Sequence, residues 1–199
     1  MKPPFLKTFL AAFVLVVALP AQAIMVSVNP SAQTVSLGSS VSVDINIDGL
    51  GDGAAPSLGT YDIDLGFDAT LLSFANIQFG TQLDVLGLGS IQSFSPSAGA
   101  VNLFELSLDL ASDLDALQAK AFTLATLTFD TLAVGQSLLS INLNALGDAV
   151  GDPLEAVTAD GSIGIATIPE PSSALLMMIG FAALGATAAR TRTFIVRWT

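Results

Sequence analysis

The chain has 199 residues, a formal net charge of -11, no cysteine and no histidine. The missing imidazoles and thiols exclude Ser-His and Cys-His nucleophile pairs and nitrogen- or sulfur-ligated zinc and copper, so any metal site must be built from oxygen and hold calcium or magnesium. Of the basic residues only Lys120 falls between residues 24 and 167, against acidic residues running from Asp44 to Asp160, an imbalance that repels nucleic-acid phosphates and anionic lipid headgroups.

The first residues carry Lys2 and Lys7, then the apolar run "FLAAFVLVVALP", then Ala21-Gln22-Ala23. A basic start, a short apolar core and an A-x-A site describe a secretory signal peptide over residues 1–23, cut by signal peptidase after Ala23 so that the mature chain begins near Ile24. Residues 24–167 are enough for one ordinary domain with its own core. Without cysteine, burial and hydrogen bonding must hold that domain together even outside the cytoplasm.

The body alternates. The segments "MVSVNP" and "QTVSL" come first, and Val41, Val43, Ile45 and Ile47 then alternate with Ser42, Asp44, Asn46 and Asp48. Tyr61, Ile63, Leu65 and Phe67 alternate with Asp62, Asp64 and Gly66, and Phe104, Leu106 and Leu108 alternate with Glu105 and Ser107. Ala125, Leu127 and Phe129 oppose Leu124, Thr126 and Thr128, and Leu139, Ile141 and Leu143 alternate with Ser140, Asn142 and Asn144, before "GSIGIA". A period of two with one polar face marks half-buried antiparallel strands. Roughly seven to nine of them in one domain mean a β-sandwich or a barrel. Residues 49–59 and 84–100 read as glycine- and serine-rich loops, and residues 112–121 as a short helix opened by capping residues.

Asp44-Ile-Asn46-Ile-Asp48-Gly49 opens like an EF-hand loop, but position 12 is Ala55 rather than a bidentate glutamate. In a strand, Asp44 and Asp48 lie roughly 13 Å apart, whereas calcium ligands converge to about 2.3–2.6 Å from one ion. The three residues are therefore the solvated face of a strand. Loop carboxylates remain as calcium candidates, Asp48 and Asp52 in one turn and Asp148 and Asp152 in another, the two places sharing one ion. Glycosidase chemistry needs two carboxyls about 5–9.5 Å apart, for which Glu105 and Asp109, on a strand's polar face, are the nominees. Tyr61, Phe67, Phe104 and Phe129 fall on apolar faces, while Phe74, Phe79 and Phe94 lie near loops, with core packing the better reading for most.

Four pieces in order resemble the cohesin-type module, a jelly-roll sandwich of bacterial extracellular proteins. They are Gly38-Ser39-Ser40-Val41-Ser42-Val43, Ile63-Asp64-Leu65-Gly66-Phe67-Asp68-Ala69-Thr70-Leu71-Leu72, Leu124-Ala125-Thr126-Leu127-Thr128-Phe129 and Gly161-Ser162-Ile163-Gly164-Ile165. The resemblance implies an all-β, cohesin-like jelly-roll β-sandwich over residues 24–167. In cellulosomes such modules bind dockerins, but the dockerin-contacting residues find no match here.

The C-terminal stretch reads "IPEPSSALLMMIGFAALGATAARTRTFIVRWT". Residues 174–189 carry no charge and Arg190, Arg192 and Arg197 follow, so a single transmembrane helix over about 173–189 is expected, with the basic side and tail 193–199 in the cytoplasm. Pro169-Glu170-Pro171, the apolar run and the arginines resemble the PEP-CTERM sorting signal, here residues 168–192. That resemblance implies recognition by an exosortase-type membrane protease in bacteria that make exopolysaccharide. The chain is then expected to pass the inner membrane, stay anchored for a time with its body in the periplasm, and reach the cell surface or matrix.

The expected function is non-catalytic: a structural or adhesive role in an exopolysaccharide biofilm, with extracellular polysaccharide or another surface protein as partner, no nucleic acid and no cofactor beyond calcium. A carbohydrate-binding module that tethers polysaccharide is the alternative, and a glycoside hydrolase the third. Exposed aromatics on one flat face would favour the second, and paired carboxyls in a cleft the third.

Overall fold

The computed structural model describes residues 23–167, 177–179 and 181–182. Alternating apolar residues give the expected period-two strands. β1 (Ile24–Asn29), β2 (Ala32–Ser36), β3 (Ser40–Asp48), β4 (Leu58–Gly66), β5 (Leu72–Phe79), β6 (Ser90–Ser97) and β7 (Ala100–Ser107) precede α1 (Ala111–Leu117). β8 (Ala121–Thr131), β9 (Gly135–Asp148), β10 (Ala156–Ala159) and β11 (Gly161–Ala166) follow it. They form an all-β sandwich of a five-stranded sheet, β10-β1-β3-β8-β5, on a six-stranded sheet, β2-β11-β9-β4-β7-β6.

Neighbouring strands are antiparallel except β1 with β10 and β2 with β11. Both exceptions arise where the chain changes sheet. Pro30 and Ser31 separate β1 from β2, and Asp160 alone separates β10 from β11. Asp160 Oδ1 accepts the Ile141 N–H at 2.9 Å, so the second crossing leaves a backbone donor of the neighbouring strand satisfied.

The inward faces interdigitate. Val41, Val43, Ile45 and Ile47 of β3 meet Tyr61, Ile63 and Leu65 of β4, Leu127 and Phe129 of β8, and Ile163 and Ile165 of β11 in one buried cluster. Each large apolar side chain so buried contributes about 1.5–3 kcal/mol. At one open side of the sandwich Phe129 packs against Phe67, with ring centroids 5.0 Å apart, and against Phe74 at 6.1 Å. Phe74 in turn meets Phe94 of the edge strand β6 at 5.9 Å.

Several expectations are corrected. The described residues hold eleven strands rather than seven to nine. Residues 84–100 are not all loop, because β6 pairs along β7 from Ser90 to Ser97 despite its serines and Pro96. β5 escapes the pattern because a register shift between Phe74 and Asn76 breaks its alternation. A similar irregularity opposite Ile45 and Asn46 lets Leu124 and Ala125, adjacent in sequence, both be buried.

The phase of β7 is reversed. Val101, Leu103 and Glu105 point inward, while Phe104 is half-buried on the outer face and Leu106 and Leu108 are exposed. The helix ends at Leu117 rather than 121, and Leu110 at its N-cap provides no side-chain cap. Gln118 stops it by turning extended and bonding β4. Its Oε1 accepts the Leu58 N–H at 2.6 Å and its Nε2 donates to the Leu58 carbonyl at 2.9 Å.

Pro169, Glu170, Pro171 and the cleavage residue Ala21 lie outside the described residues, as does most of 173–189. Residues 177–179 and 181–182, inside that span, are helical. Among the described residues no helix is long and apolar enough to cross a membrane.

Candidate binding face

The strand β4 lies between β7 and β9, so its outward side chains are flanked on both sides. Asp64 sits opposite Asn102 on β7 and Asn142 on β9, and Asp62 opposite Phe104 and Ala145. The β9 register skips a residue between Leu143 and Ala145, and the unpaired residue is Asn144. Such a bulge re-aims a side chain, and here it turns the Asn144 amide onto both carboxylates.

Asn144 Nδ2 donates to Asp62 Oδ1 at 3.1 Å and to Asp64 Oδ2 at 3.0 Å. Asn102 Nδ2 donates to Asp62 Oδ1 at 2.7 Å and Asp64 Oδ1 at 2.8 Å, and Asn142 Nδ2 to Asn144 Oδ1 at 3.1 Å. The result is a lattice of two carboxylates and three amides. The amides of Asn144 and then Asn102 hold the Asp64 carboxyl below the usual carboxylate range.

Beside the lattice the same face turns apolar. Ile91 of β6 lies opposite Leu106 of β7, with Phe104 next along the strand. Beyond β7, Asp109 Oδ2 accepts the Val85 N–H at 2.7 Å and ties down the loop that exposes Leu86 and Leu88, while Leu108 and Leu110 are exposed on either side of it.

The nominated carboxyl pair is not presented as expected. Glu105 is only 1% exposed, beneath the sheet rather than on its polar face. Its Oε1 accepts from Ser90 Oγ at 2.6 Å and Gln92 Nε2 at 2.8 Å, and its Oε2 from the Tyr61 hydroxyl at 3.0 Å. Burial, followed by the charge of Glu105 and the hydrogen bond to it, pushes the Tyr61 phenol far above its ordinary range. Asp109 Oδ1 is buried without a partner among the described residues.

Asp44, Asn46 and Asp48 lie on an extended strand, as the period-two pattern requires. Thr126 and Thr123 of β8 donate their hydroxyls to Asp44 Oδ1 at 2.6 Å and Asn46 Oδ1 at 2.8 Å. Of the calcium candidates, Asp48 Oδ1 accepts the Gly49 N–H and Asp52 is exposed in the next turn. Asp148 Oδ1 accepts the N–H groups of Val150 and Asp152 at 3.0 and 2.8 Å, while Asp152 is exposed. Asp48 ends a strand of one sheet and Asp148 a strand of the other. No group of three or more carboxylates able to hold a metal gathers among the described residues. Ala23 is exposed just ahead of β1.

Residues 167–192 match the PEP-CTERM protein-sorting motif. The fold is similar to that of cohesins. The sixth cohesin of scaffoldin B from Acetivibrio cellulolyticus, solved in complex with a Cel5 dockerin, shares 19% identity over 72% of this chain and 99% of its own, with a TM-score of 0.59. The seventh type I cohesin from Pseudobacteroides cellulosolvens shares 17% over 75% and 96%, also at 0.59. A non-cellulosomal cohesin from the archaeon Archaeoglobus fulgidus shares 14% over 73% and 92%, at 0.56. No curated protein matches the sequence. Identities this low carry the fold and nothing more.

Proposed function

We propose that the protein is an exported, non-catalytic surface or matrix protein, delivered by an exosortase-type system and acting as a binding module in an exopolysaccharide layer. The observation that carries this reading is a sorting motif at residues 167–192 directly behind a cohesin-like sandwich. The outer face of β6, β7, β4 and β9 is the docking surface, and its occupant is another surface protein. The exposed leucines beside the lattice support an apolar contact, and the two uncompensated carboxylates favour a partner with basic or amide groups. The partner's role is structural or adhesive. Cohesins solved with bound dockerins make a protein partner a fitting occupant for this fold.

The test is retention in the native extracellular matrix. Ile91→Ser combined with Leu108→Ser removes two side chains that are 50% and 54% exposed, so folding should be preserved. The double variant should be exported normally and lost from the matrix fraction into the medium. Retention equal to the wild-type protein would remove this face from the reading.

A further inference from the structure

The other sheet carries a groove of its own. An open cavity of about 360 Å³ is lined by Asp44, Gln78, Gln82 and Thr126 among others. A second of about 290 Å³ is lined by Met25, Ser27, Asn46 and Asp48. Phe122 and Thr123 form walls of both. Together the cavities cross β1, β3, β8 and β5 in sheet order. At ~4.8 Å between strands the groove is about 14 Å long, the reach of a short chain of units rather than of one small molecule.

Its polar groups have hydrogen-bonding capacity left over. Thr126 and Thr123 occupy one oxygen each of Asp44 and Asn46, which leaves Asp44 Oδ2 and Asn46 Nδ2 without partners among the described residues. Gln82 spends its Oε1 on the Ala119 N–H and keeps its Nε2. The exposed Gln78 amide makes no hydrogen bond among the described residues. Acceptors and donors thus stand side by side along the groove. Phe79 and Phe122, half-buried against the core, border the cavities. No basic side chain lines either cavity.

We propose that this groove binds a segment of a neutral polysaccharide. Neighbouring sugar hydroxyls each donate and accept, which matches the alternation of free carboxylate oxygens and amide nitrogens. Asp44 and Asp48 repel anionic glycans, and the absence of basic residues leaves nothing to hold them. This site lies on the opposite sheet from the docking face and does not depend on that reading.

The experiment is calorimetric titration of the full chain in detergent with hexasaccharides of β-1,3-glucan, β-1,4-glucan and α-mannan, and with polygalacturonate as the anionic probe. At least one neutral probe should bind at millimolar concentration, and polygalacturonate should give no heat. Asn46→Ala with Gln78→Ala should weaken binding at least about tenfold with the melting temperature unchanged. Gln78→Ala alone, at an exposed position, should weaken it several-fold and decides the matter if the double variant is unstable. Silence from all three neutral probes, binding unchanged in both variants, or equal binding of polygalacturonate would each overturn the proposal.

Discussion

Tyr61 and Glu105 are direct cross-strand partners of β4 and β7, and the phenol hydroxyl lies 3.0 Å from Glu105 Oε2 beneath the sheet. The same hydroxyl is 3.2 Å from the Leu124 carbonyl on the facing sheet, and its single proton serves one acceptor at a time. Tyr61→Phe strands a charged, buried oxygen and should cost about 1–3 kcal/mol. Glu105→Ala takes the carboxylate acceptor from Ser90 and Gln92, leaves the Tyr61 hydroxyl with the Leu124 carbonyl, and loosens the edge strand β6, so it should also cost about 1–3 kcal/mol. Urea melts of both variants check this. A loss within about 0.5 kcal/mol, as for a surface change, would put Glu105 back on the outer face.

The same pair sets an alkaline limit. The Tyr61 pKa in the folded chain lies well above the ordinary value of 10.0. A raised pKa contributes stability that is fully present below the unfolded value and is lost as pH rises towards the folded one. Stability should therefore be flat from pH 8 to 9 and fall above about 10, and Tyr61→Phe should remove that slope. Denaturant midpoints measured across this range would show it, and an identical slope in the variant would assign the loss to other groups.

Phe129 is fully buried on β8, whereas Phe67, just past the end of β4, is half-buried against it. The sequence pattern put both inside. Phe129→Ala should cost about 3–5 kcal/mol and Phe67→Ala roughly half of that, because less surface leaves water. Equal losses in parallel denaturant melts would mean that Phe67 is as deeply packed as its neighbour.

How much of this was legible follows from particular residues. β3, β4 and β9 as far as Leu143 alternate cleanly, so their inward faces could be read directly. β7 could not be read from Phe104 onward, because Phe104, Leu106 and Leu108 look like a core face while Glu105 looks like surface. Only three donors from β4 and β6 make that glutamate cheaper to bury than the pattern allows. β5 and the Leu124–Ala125 pair were hidden by register shifts, which break a strict period of two. Asp62 and Asp64 were visible as a polar face, but the bulge that brings Asn144 to them depends on strand pairing and leaves no local signal.

The lattice predicts its own titration. Asn144 is the first cause of the lowered Asp64 pKa, so Asn144→Ala should raise that pKa towards the ordinary carboxylate range. Asn144 is exposed, and the stability change should stay within about 0.5 kcal/mol. Carbon-detected NMR titration of the Asp64 carboxyl reads the shift. No movement would mean that Asn102 and Asn142 fix it without Asn144.

Calcium should be dispensable for folding. Asp148 Oδ1 is already satisfied by two backbone N–H groups of its own turn. An ion at Asp48 and Asp52, or at Asp148 and Asp152, would therefore bind weakly, at the millimolar level of other extracellular modules. Melting curves in chelator and in millimolar calcium should differ by less than about 1 kcal/mol. A chain that unfolds in chelator would require a tighter site than these residues offer.

The sorting signal yields the sharpest outcome. Proline at 169 and 171 restricts its own φ and disfavours helix in the residue before it, which predicts an extended stretch around Glu170 ahead of the apolar run. A protease needs an accessible extended peptide, and the apolar run with Arg190 and Arg192 would hold that peptide at the membrane in one orientation. Cleavage there separates the sandwich from everything after the motif. Exported protein in the native host should therefore start near Ile24, end close to Glu170 and lack Trp198, and Glu170→Ala should leave the body bound to the membrane. Intact-mass analysis distinguishes the cases. A wild-type species that still ends at Thr199 would make the apolar run a permanent anchor and the protein a bitopic one, retained by its helix rather than by the faces of its sandwich.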